Sequence, residues 1–397
     1  MSETLSKPNI RAEGNSASPK EIDLPYGRQT ITDADIEAVT MALRSDWLTT
    51  GPKVTEFERA LAEFIGVRHA AVLNSGTAAL HCAMAAIGIA PGDEVIVPAI
   101  SFVATANCVL YCGGVPVFAD VEADTALIDP VDVERKISSR TRAIIAMDYG
   151  GQPANYEALR GIIGRTLRPI WLVADACHAL GASRGKRMAG ALADISTFSF
   201  HPVKPITTGE GGAVTTDHAE IADKVRLIRN HGIDADFRTR ERSVTWYYDM
   251  VELGFNYRIS DILCALGISQ LRQLPAWIVR RQALARRYDA GLARNTSARP
   301  LQRLEDVNHG YHLYSVRTQP GRRDTIFRRL RRAGVGANVH YRPIPSHSYY
   351  RRLFPSASNP IANQLAEVLL TLPLHPGMKE TDIDFVLGIL DAGDEEN

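Results

Sequence analysis

Residues 170–182 read Ile170-Trp-Leu-Val-Ala-Asp175-Ala-Cys-His178-Ala-Leu-Gly-Ala182, and residues 194–212 read Asp194-Ile-Ser-Thr-Phe-Ser-Phe-His-Pro-Val-Lys204-Pro-Ile-Thr-Thr-Gly209-Glu-Gly-Gly212. Together they decide the fold. Ile170 to Ala174 is a short unbroken apolar run, the pattern of a strand buried on both faces, and it ends on a carboxylate. A buried aspartate is costly unless a partner meets it. About thirty residues later a lysine sits among apolar and small residues ahead of a glycine-rich stretch.

The same rhythm extends upstream. Ala70 to Leu73, Glu94 to Val97, Pro116 to Phe118 and Ala143 to Met147 are further strand candidates, with helical segments between them, among them Thr77 to Ile87. Strand–helix alternation of this kind predicts an α/β fold with a largely parallel sheet covered on both faces. Ligands on such sheets bind beyond the carboxyl ends of the strands. Gly76-Thr77, Phe102 and Asp175 all fall at those ends. Nearer the N-terminus, Thr32 with Asp35 forms a helix-capping pattern, and a helix from Val54 to Ile65 stops at Gly66.

Beyond about residue 275 the texture changes. An Arg-rich helix is expected from Ala276 to Asn295, a strand from Tyr311 to Arg317, a helix from Asp324 to Ala333 and a strand from Val335 to His340. The predicted organisation is a polar tail over 1–22, a large domain over 23–275 and a smaller C-terminal α/β domain over 276–397.

Composition narrows the function classes. With 45% hydrophobic and 23% charged residues and zero formal net charge, the 397-residue chain reads as a globular enzyme of more than one domain. It carries no overall charge signal for nucleic acid or membrane. The apolar stretch Ala78 to Ala90 is too short to cross a bilayer, and the first residues lack an apolar signal core. Five scattered cysteines with no CxxC pair read as reduced thiols, which points to the cytoplasm. Cys108 and Cys112 could share a helix face, but no nearby His or Cys completes a metal site. Arg272 to Arg352 is rich in arginine. The readings are a solvated helical face, contacts to a substrate diphosphate, or a nucleic-acid surface that lacks the usual aromatic and zinc-finger signatures.

Each chemical candidate carries two readings. A lysine desolvated at position 204 has a lowered pKa, as an amine needs before it forms a Schiff base; otherwise it snorkels to solvent. Asp175 could pair with a protonated pyridine nitrogen, making that ring an electron sink, or it caps the strand–helix junction. Ser75-Gly76-Thr77 at a helix N-terminus is a phosphate-binding turn, and Ser199 could add a hydroxyl. Phe102 offers a stacking face or packs in the core. His178, three residues after Asp175, could reach a ring oxygen, whereas His201 reads as structural.

Taken together, these segments resemble the DegT-type sugar-nucleotide aminotransferases, which are pyridoxal-phosphate enzymes of fold type I. The matching stretches are Trp47-Leu-Thr-Thr-Gly-Pro52, Asn74-Ser-Gly-Thr-Ala-Ala-Leu80, Ser101-Phe-Val-Ala-Thr-Ala-Asn107, Asp175-Ala-Cys-His-Ala-Leu-Gly-Ala182, Ser199-Phe-His-Pro-Val-Lys204, Gly209-Glu-Gly-Gly212 and Gly254-Phe-Asn-Tyr-Arg258. The resemblance spans about residues 25–385. It implies an aspartate-aminotransferase-like large domain with a mostly parallel seven-stranded sheet. It further implies pyridoxal 5'-phosphate on Lys204, Asp175 at the pyridine nitrogen and Phe102 stacked on the ring. Gly76, Thr77 and Ser199 would hold the phosphate, and His178 would lie near the ring oxygen. Asn256 would reach the phosphate from the neighbouring subunit of a homodimer. A narrower likeness, in His178-Ala-Leu-Gly181 and Val339-His-Tyr-Arg-Pro-Ile344, is to the pseudaminic-acid pathway members. It implies L-glutamate as amino donor and a UDP-linked 4-keto-6-deoxy sugar as acceptor, with Thr50, His340, Tyr341 and Arg342 near that substrate. The alternatives are an aminotransferase for another UDP- or dTDP-keto sugar, or a regulatory or nucleic-acid-binding protein on the same fold.

Overall fold

The computed structural model describes residues 22–235, 240–241 and 243–391. Apart from Ile22, the expected polar tail lies outside them. The central sheet contains β1 (His69–Leu73), β2 (Glu94–Pro98), β3 (Val115–Ala119), β4 (Thr141–Met147), β5 (Trp171–Asp175), β6 (Ile195–Ser199) and β7 (Gly212–Thr216), in the order β1-β7-β6-β5-β4-β2-β3. Pairing is parallel from β6 to β3, and only β7 runs against its two neighbours. The seven-stranded, mostly parallel sheet implied by the resemblance is the one observed.

Five of these strands lie where apolar runs placed them. β6 and β7 carry no such run, because serine and threonine alternate with their apolar residues. The three threonine hydroxyls there find carbonyl partners, which lets them be buried: Thr197 donates to the Ala174 carbonyl at 3.2 Å, Thr215 to Gly190 at 3.0 Å and Thr216 to Asp194 at 2.7 Å.

Helices cover both faces. α1 (Asp33–Leu43) starts with the expected capping box between Thr32 and Asp35. α2 (Pro52–Ile65) ends at Gly66 in the left-handed conformation, φ 80°. α3 (Gly76–Ala86) follows β1, and α4 (Ala104–Tyr111) follows β2. One core lies on the α1–α2 side around Phe57, Phe198 and Leu274, and another on the α3–α4 side around Leu80, Met84 and Val109.

The C-terminal part departs from expectation at three points. The helix expected from Ala276 begins at Asp261 and runs unbroken to Leu292 (α5), through Pro275. Proline removes one backbone hydrogen bond, and dense packing on both sides outweighs that loss. A domain boundary at 275 therefore falls inside a helix. By length and hydropathy α5 could cross a membrane, but half of its apolar window is buried, with Cys264, Leu274, Leu284 and Tyr288 inside the protein. The strand expected from Val335 to His340 shrinks to Val335–Gly336, which pairs with Leu24–Pro25. The following residues bend toward the large domain, where Ile344 donates its N–H to Ala99 at 2.8 Å.

Domain membership is consequently not sequential. The small core gathers Leu284, Tyr288, Val316, Leu330 and Leu370, with Leu24 from the N-terminal side. Ile344, Tyr350, Ala362 and Leu365 belong instead to the cores of the large sheet. Several arginines of the Arg-rich region tie these parts together. Arg281 is buried and donates to the carbonyls of Tyr311 and Leu374 at 3.1 and 2.8 Å; Arg280 donates to Met378, and Arg287 pairs with Asp384. Each thus serves packing between elements.

Candidate active site

β1, β2, β4, β5 and β6 point their carboxyl ends the same way, and the residues just past those ends converge on a cavity of about 720 Å³. Ser75, Gly76 and Thr77 come from the turn after β1, Ser101 and Phe102 from the turn after β2, Asp175, Cys177 and His178 from β5, and Ser199 and Lys204 from β6. The bent segment Asn338 to Arg342 closes the opposite wall, with Tyr26. A parallel sheet makes this convergence obligatory, since every strand–helix turn on one edge faces the same space.

The turn after β1 is built for an anion. Ser75 caps α3 by accepting from Ala78 N–H at 3.0 Å, which leaves the Gly76 and Thr77 amides as the first of the helix, with no carbonyl within it to bond. Glycine is required at two places here. A Cβ on Gly76 would lie 2.7 Å from the Ser199 Cβ, and one on Gly212 would lie 2.4 Å from the Ser75 carbonyl oxygen. The backbone of α3 therefore sits directly against β6 and β7, and Ser199 borders the amides.

Asp175 is 2% exposed. The Thr105 hydroxyl donates to its Oδ2 at 2.6 Å, and the Cys177 N–H reaches Oδ1 at 3.3 Å. Ser101 in turn bonds the Thr105 hydroxyl at 2.6 Å. Thr105 is a site residue that sequence reasoning missed. It sits in the stretch that singled out Phe102, in the first turn of α4, fully buried behind the cavity lining.

Lys204 is half-buried in the cavity wall. Burial pushes its amine below the usual lysine range, with Cys177 and Asp175 acting in the opposite direction. His178 is fully buried. Burial, then Lys204, then His340 hold its imidazole well below the ordinary histidine pKa, so it is neutral. Its Nδ1 accepts from Gly150 N–H at 3.3 Å, and its Nε2 lies 3.1 Å from the Tyr341 hydroxyl. Phe102 is 53% exposed and faces the cavity, a ring available for stacking rather than core packing.

Of the residues that sequence and resemblance nominated, all line this cavity except Thr50 and Asn256. Thr50, at φ 52°, borders a separate cavity with Arg229 and Arg258. Asn256 is exposed, and its carbonyl accepts from the Asn74 side chain at 3.3 Å. His340 lines the cavity, but both ring nitrogens are engaged within the protein, Nδ1 with Thr371 at 2.9 Å and Nε2 with Asn338 at 3.4 Å; burial lowers its pKa to about 3. The Arg342 guanidinium is turned back onto Ser346. Cys108 donates to the Thr105 carbonyl, and among the described residues no three His, Cys, Asp or Glu side chains cluster as a metal site.

Comparison with known proteins agrees with this geometry. The chain is 36% identical over 372 residues to the Bacillus subtilis spore coat polysaccharide biosynthesis protein SpsC, covering 92% of this chain and 95% of that protein. It is 38% identical over 369 residues to a Campylobacter jejuni UDP-4-amino-4,6-dideoxy-N-acetyl-beta-L-altrosamine transaminase, covering 91% and 95%. The fold superposes on Helicobacter pylori PseC, an aminotransferase of pseudaminic acid biosynthesis, with a TM-score of 0.87 and 34% identity over 92% of this chain and 98% of that one. The profile of one family runs through residues 29–391, from the capping box of α1 to the last helix, and takes in every wall of the cavity except Tyr26, so the chain belongs to the DegT/DnrJ/EryC1/StrS aminotransferase family.

Proposed function

We propose that the chain is a pyridoxal-phosphate-dependent aminotransferase acting on a nucleotide-linked 4-keto-6-deoxy sugar, with L-glutamate as amino donor. The observation that carries the reading is the pairing, in one cavity, of a lysine with a depressed pKa and a buried carboxylate held by Thr105. The residues fit the cofactor. Gly76 and Gly212 let the start of α3 close onto β6 and β7, so that its free amides stand beside Ser199 as a phosphate would need, Asp175 offers its carboxylate to a pyridinium, and Phe102 presents a ring face.

When bound, pyridoxal phosphate supplies an aldehyde that carries the amino group and a ring that withdraws electrons from the reacting carbon. The chain supplies the rest. Lys204 would hold the cofactor through its amine, and the same amine, neutral when free, would move the proton at the reacting carbon. Asp175 would pair with the ring nitrogen and keep it protonated. Conversion of glutamate to 2-oxoglutarate and amination of the keto sugar would call on the same lysine and carboxylate.

The sugar we favour is the UDP-linked 2-acetamido-2,6-dideoxy-β-L-arabino-hex-4-ulose, a reading supported by the likeness to the Campylobacter transaminase and PseC. The likeness to SpsC, a spore coat polysaccharide biosynthesis protein, supports a role in polysaccharide biosynthesis. A homodimer with shared sites fits the placement of Thr50 and Asn256 outside their own chain's cavity. It also fits the exposed apolar segment around Trp246, 83% accessible, and Leu253, 78% accessible. The five free thiols fit the cytoplasm.

The deciding experiment is glutamate-dependent amination across UDP- and dTDP-linked 4-keto and 3-keto sugars. Turnover confined to UDP-4-keto-6-deoxy-N-acetylhexosamine is expected. Turnover confined to a dTDP-3-keto sugar would overturn the substrate assignment and leave the transamination chemistry standing.

A further inference from the structure

We infer that Thr207, backed by Gln270, is a positioning residue for Lys204, its buried hydroxyl latching the loop between β6 and β7 so that the lysine amine stands where the proton must move. This rests on the role given to Lys204 above.

Lys204 sits in residues 200–211, an irregular connection that leaves β6 and returns as β7. The base of the loop is closed by the Phe200 N–H, which donates to the Gly211 carbonyl at 2.8 Å. Its outer part is sparsely held. Pro202 and Pro205 have no N–H to give. Among the described residues, the hydrogen bonds of residues 202–206 are confined to one turn, in which the Lys204 N–H donates to the His201 carbonyl at 2.8 Å. The next tie along the chain is Thr207. Its hydroxyl donates to the Phe200 carbonyl at 3.0 Å and accepts from the Gly209 N–H at 2.9 Å. The Thr208 N–H joins it on the Phe200 carbonyl at 3.0 Å. One side chain, 3% exposed, thus spans the loop just beyond the lysine.

Thr207 is itself anchored from outside the loop. Gln270, buried on α5, donates from Nε2 to the Thr30 carbonyl at 2.9 Å and to Asp35 Oδ2 at 2.8 Å. Both partners are acceptors, which fixes the amide with its oxygen toward the loop, where Oε1 accepts from the Thr207 N–H at 3.3 Å. Thr207 and Gln270 line a small recess behind Lys204, with Pro202 and Pro205, and neither borders the large cavity. They act on Lys204 through the backbone and would touch no substrate.

A lysine amine rides on a flexible four-carbon stem, so its placement depends on how firmly the backbone beneath it is held. Misplacing a reacting group by about 1 Å costs about 100-fold in rate. The phosphate turn after β1 and Asp175 on β5 lie outside the loop. Loosening the latch therefore slows proton transfer and leaves the grip on the phosphate and the ring in place.

The test compares Thr207→Val, which keeps the branched shape and removes the hydroxyl, with Thr207→Ser, which keeps the hydroxyl. In the cofactor-free protein, amide hydrogen exchange in the peptide covering residues 200–211 should quicken about fivefold in the valine variant and stay near wild type in the serine variant. In the loaded enzyme, single-turnover conversion of saturating glutamate should slow about 10- to 100-fold in the valine variant, with a larger isotope effect for glutamate deuterated at its α-carbon. Affinity for pyridoxamine phosphate, which needs no bond to the lysine, should stay within about twofold of wild type. Serine should recover the wild-type rate. Wild-type exchange or a wild-type rate in Thr207→Val overturns the inference. So does a loss of pyridoxamine phosphate affinity in proportion to the rate, because the damage is then general, and so does a serine variant as slow as valine. If Thr207→Val does not fold, Thr207→Ala decides in its place by the same readouts. A wild-type protein that does not convert glutamate when pyridoxal phosphate is supplied overturns the cofactor reading instead, and the exchange measurement, made without cofactor, separates the two failures.

Discussion

Replacing Thr105 with valine removes one hydroxyl and little else, because the two side chains share a branched shape. The hydroxyl is worth removing because Asp175 is 2% exposed and Thr105 reaches it at 2.6 Å, closer than the Cys177 amide at 3.3 Å. A hydrogen bond to a charged buried group contributes about 1.5–3 kcal/mol, and leaving the acceptor short costs a similar amount. Thr105→Val should therefore destabilise the cofactor-free protein by about 1.5–3 kcal/mol, read as the shift of a urea unfolding curve at unchanged slope. Thr105→Ser keeps the hydroxyl and should cost less than about 1.5 kcal/mol, the loss of one buried methyl group. In a cycle with Asp175→Asn, the valine should cost at least about 1 kcal/mol less than it does in wild type, because the charge it served is gone. A valine variant within about 0.5 kcal/mol of wild type, or strictly additive costs, would refute the view that Thr105 exists to hold Asp175.

Three other outcomes are expected. Gly76→Ala puts a Cβ 2.7 Å from the Ser199 Cβ, so α3 must shift by some tenths of an ångström; pyridoxal-phosphate affinity should fall about tenfold or more, equivalent to about 1.4 kcal/mol, and unchanged affinity would place the phosphate elsewhere. Lys204→Ala should abolish both transamination and the borohydride-fixed label on the peptide containing residue 204, and retained turnover would remove Lys204 from its role. Asp148, fully buried with Oδ2 unpartnered, has its pKa pushed up to about 7 by burial. A folded-state value above the unfolded one means that its contribution to stability is present at low pH and lost as pH rises from about 4 through 7. Asparagine mimics the protonated acid, accepting from Tyr156 and Ala154. Asp148→Asn should gain at least about 1 kcal/mol on wild type between pH 5 and pH 8, and parallel pH–stability curves would contradict the assignment.

Much of the architecture and chemistry was legible before any coordinates. β1 to β5 announced themselves as apolar runs, because strands buried on both faces must be apolar throughout. Asp175 and Lys204 stood out because a charge beside such runs needs a reason. β6 and β7 stayed hidden behind their serines and threonines, and the threonine hydroxyls find carbonyl partners only after neighbouring strands are in place. Thr105 was passed over for the same cause: a threonine in a helix has no signal until the carboxylate it meets, 70 positions away, is positioned. The run Val335 to His340 looked like a strand, but Ile344 bonds back to Ala99 and pulls the chain out of the small sheet toward the large domain.

The amino-acid sequence by itself determined the α/β class, the family, and which lysine and aspartate are the candidates for its chemistry, since these depend on residue type and local periodicity. Only the tertiary structure decided that α5 runs through the expected domain boundary, that Thr50 and Asn256 lie outside their own chain's cavity, and that His178 sits between the Gly150 amide and the Tyr341 hydroxyl. Those depend on which groups meet across long stretches of chain, and a hydrogen bond has no direction until both of its ends are in place.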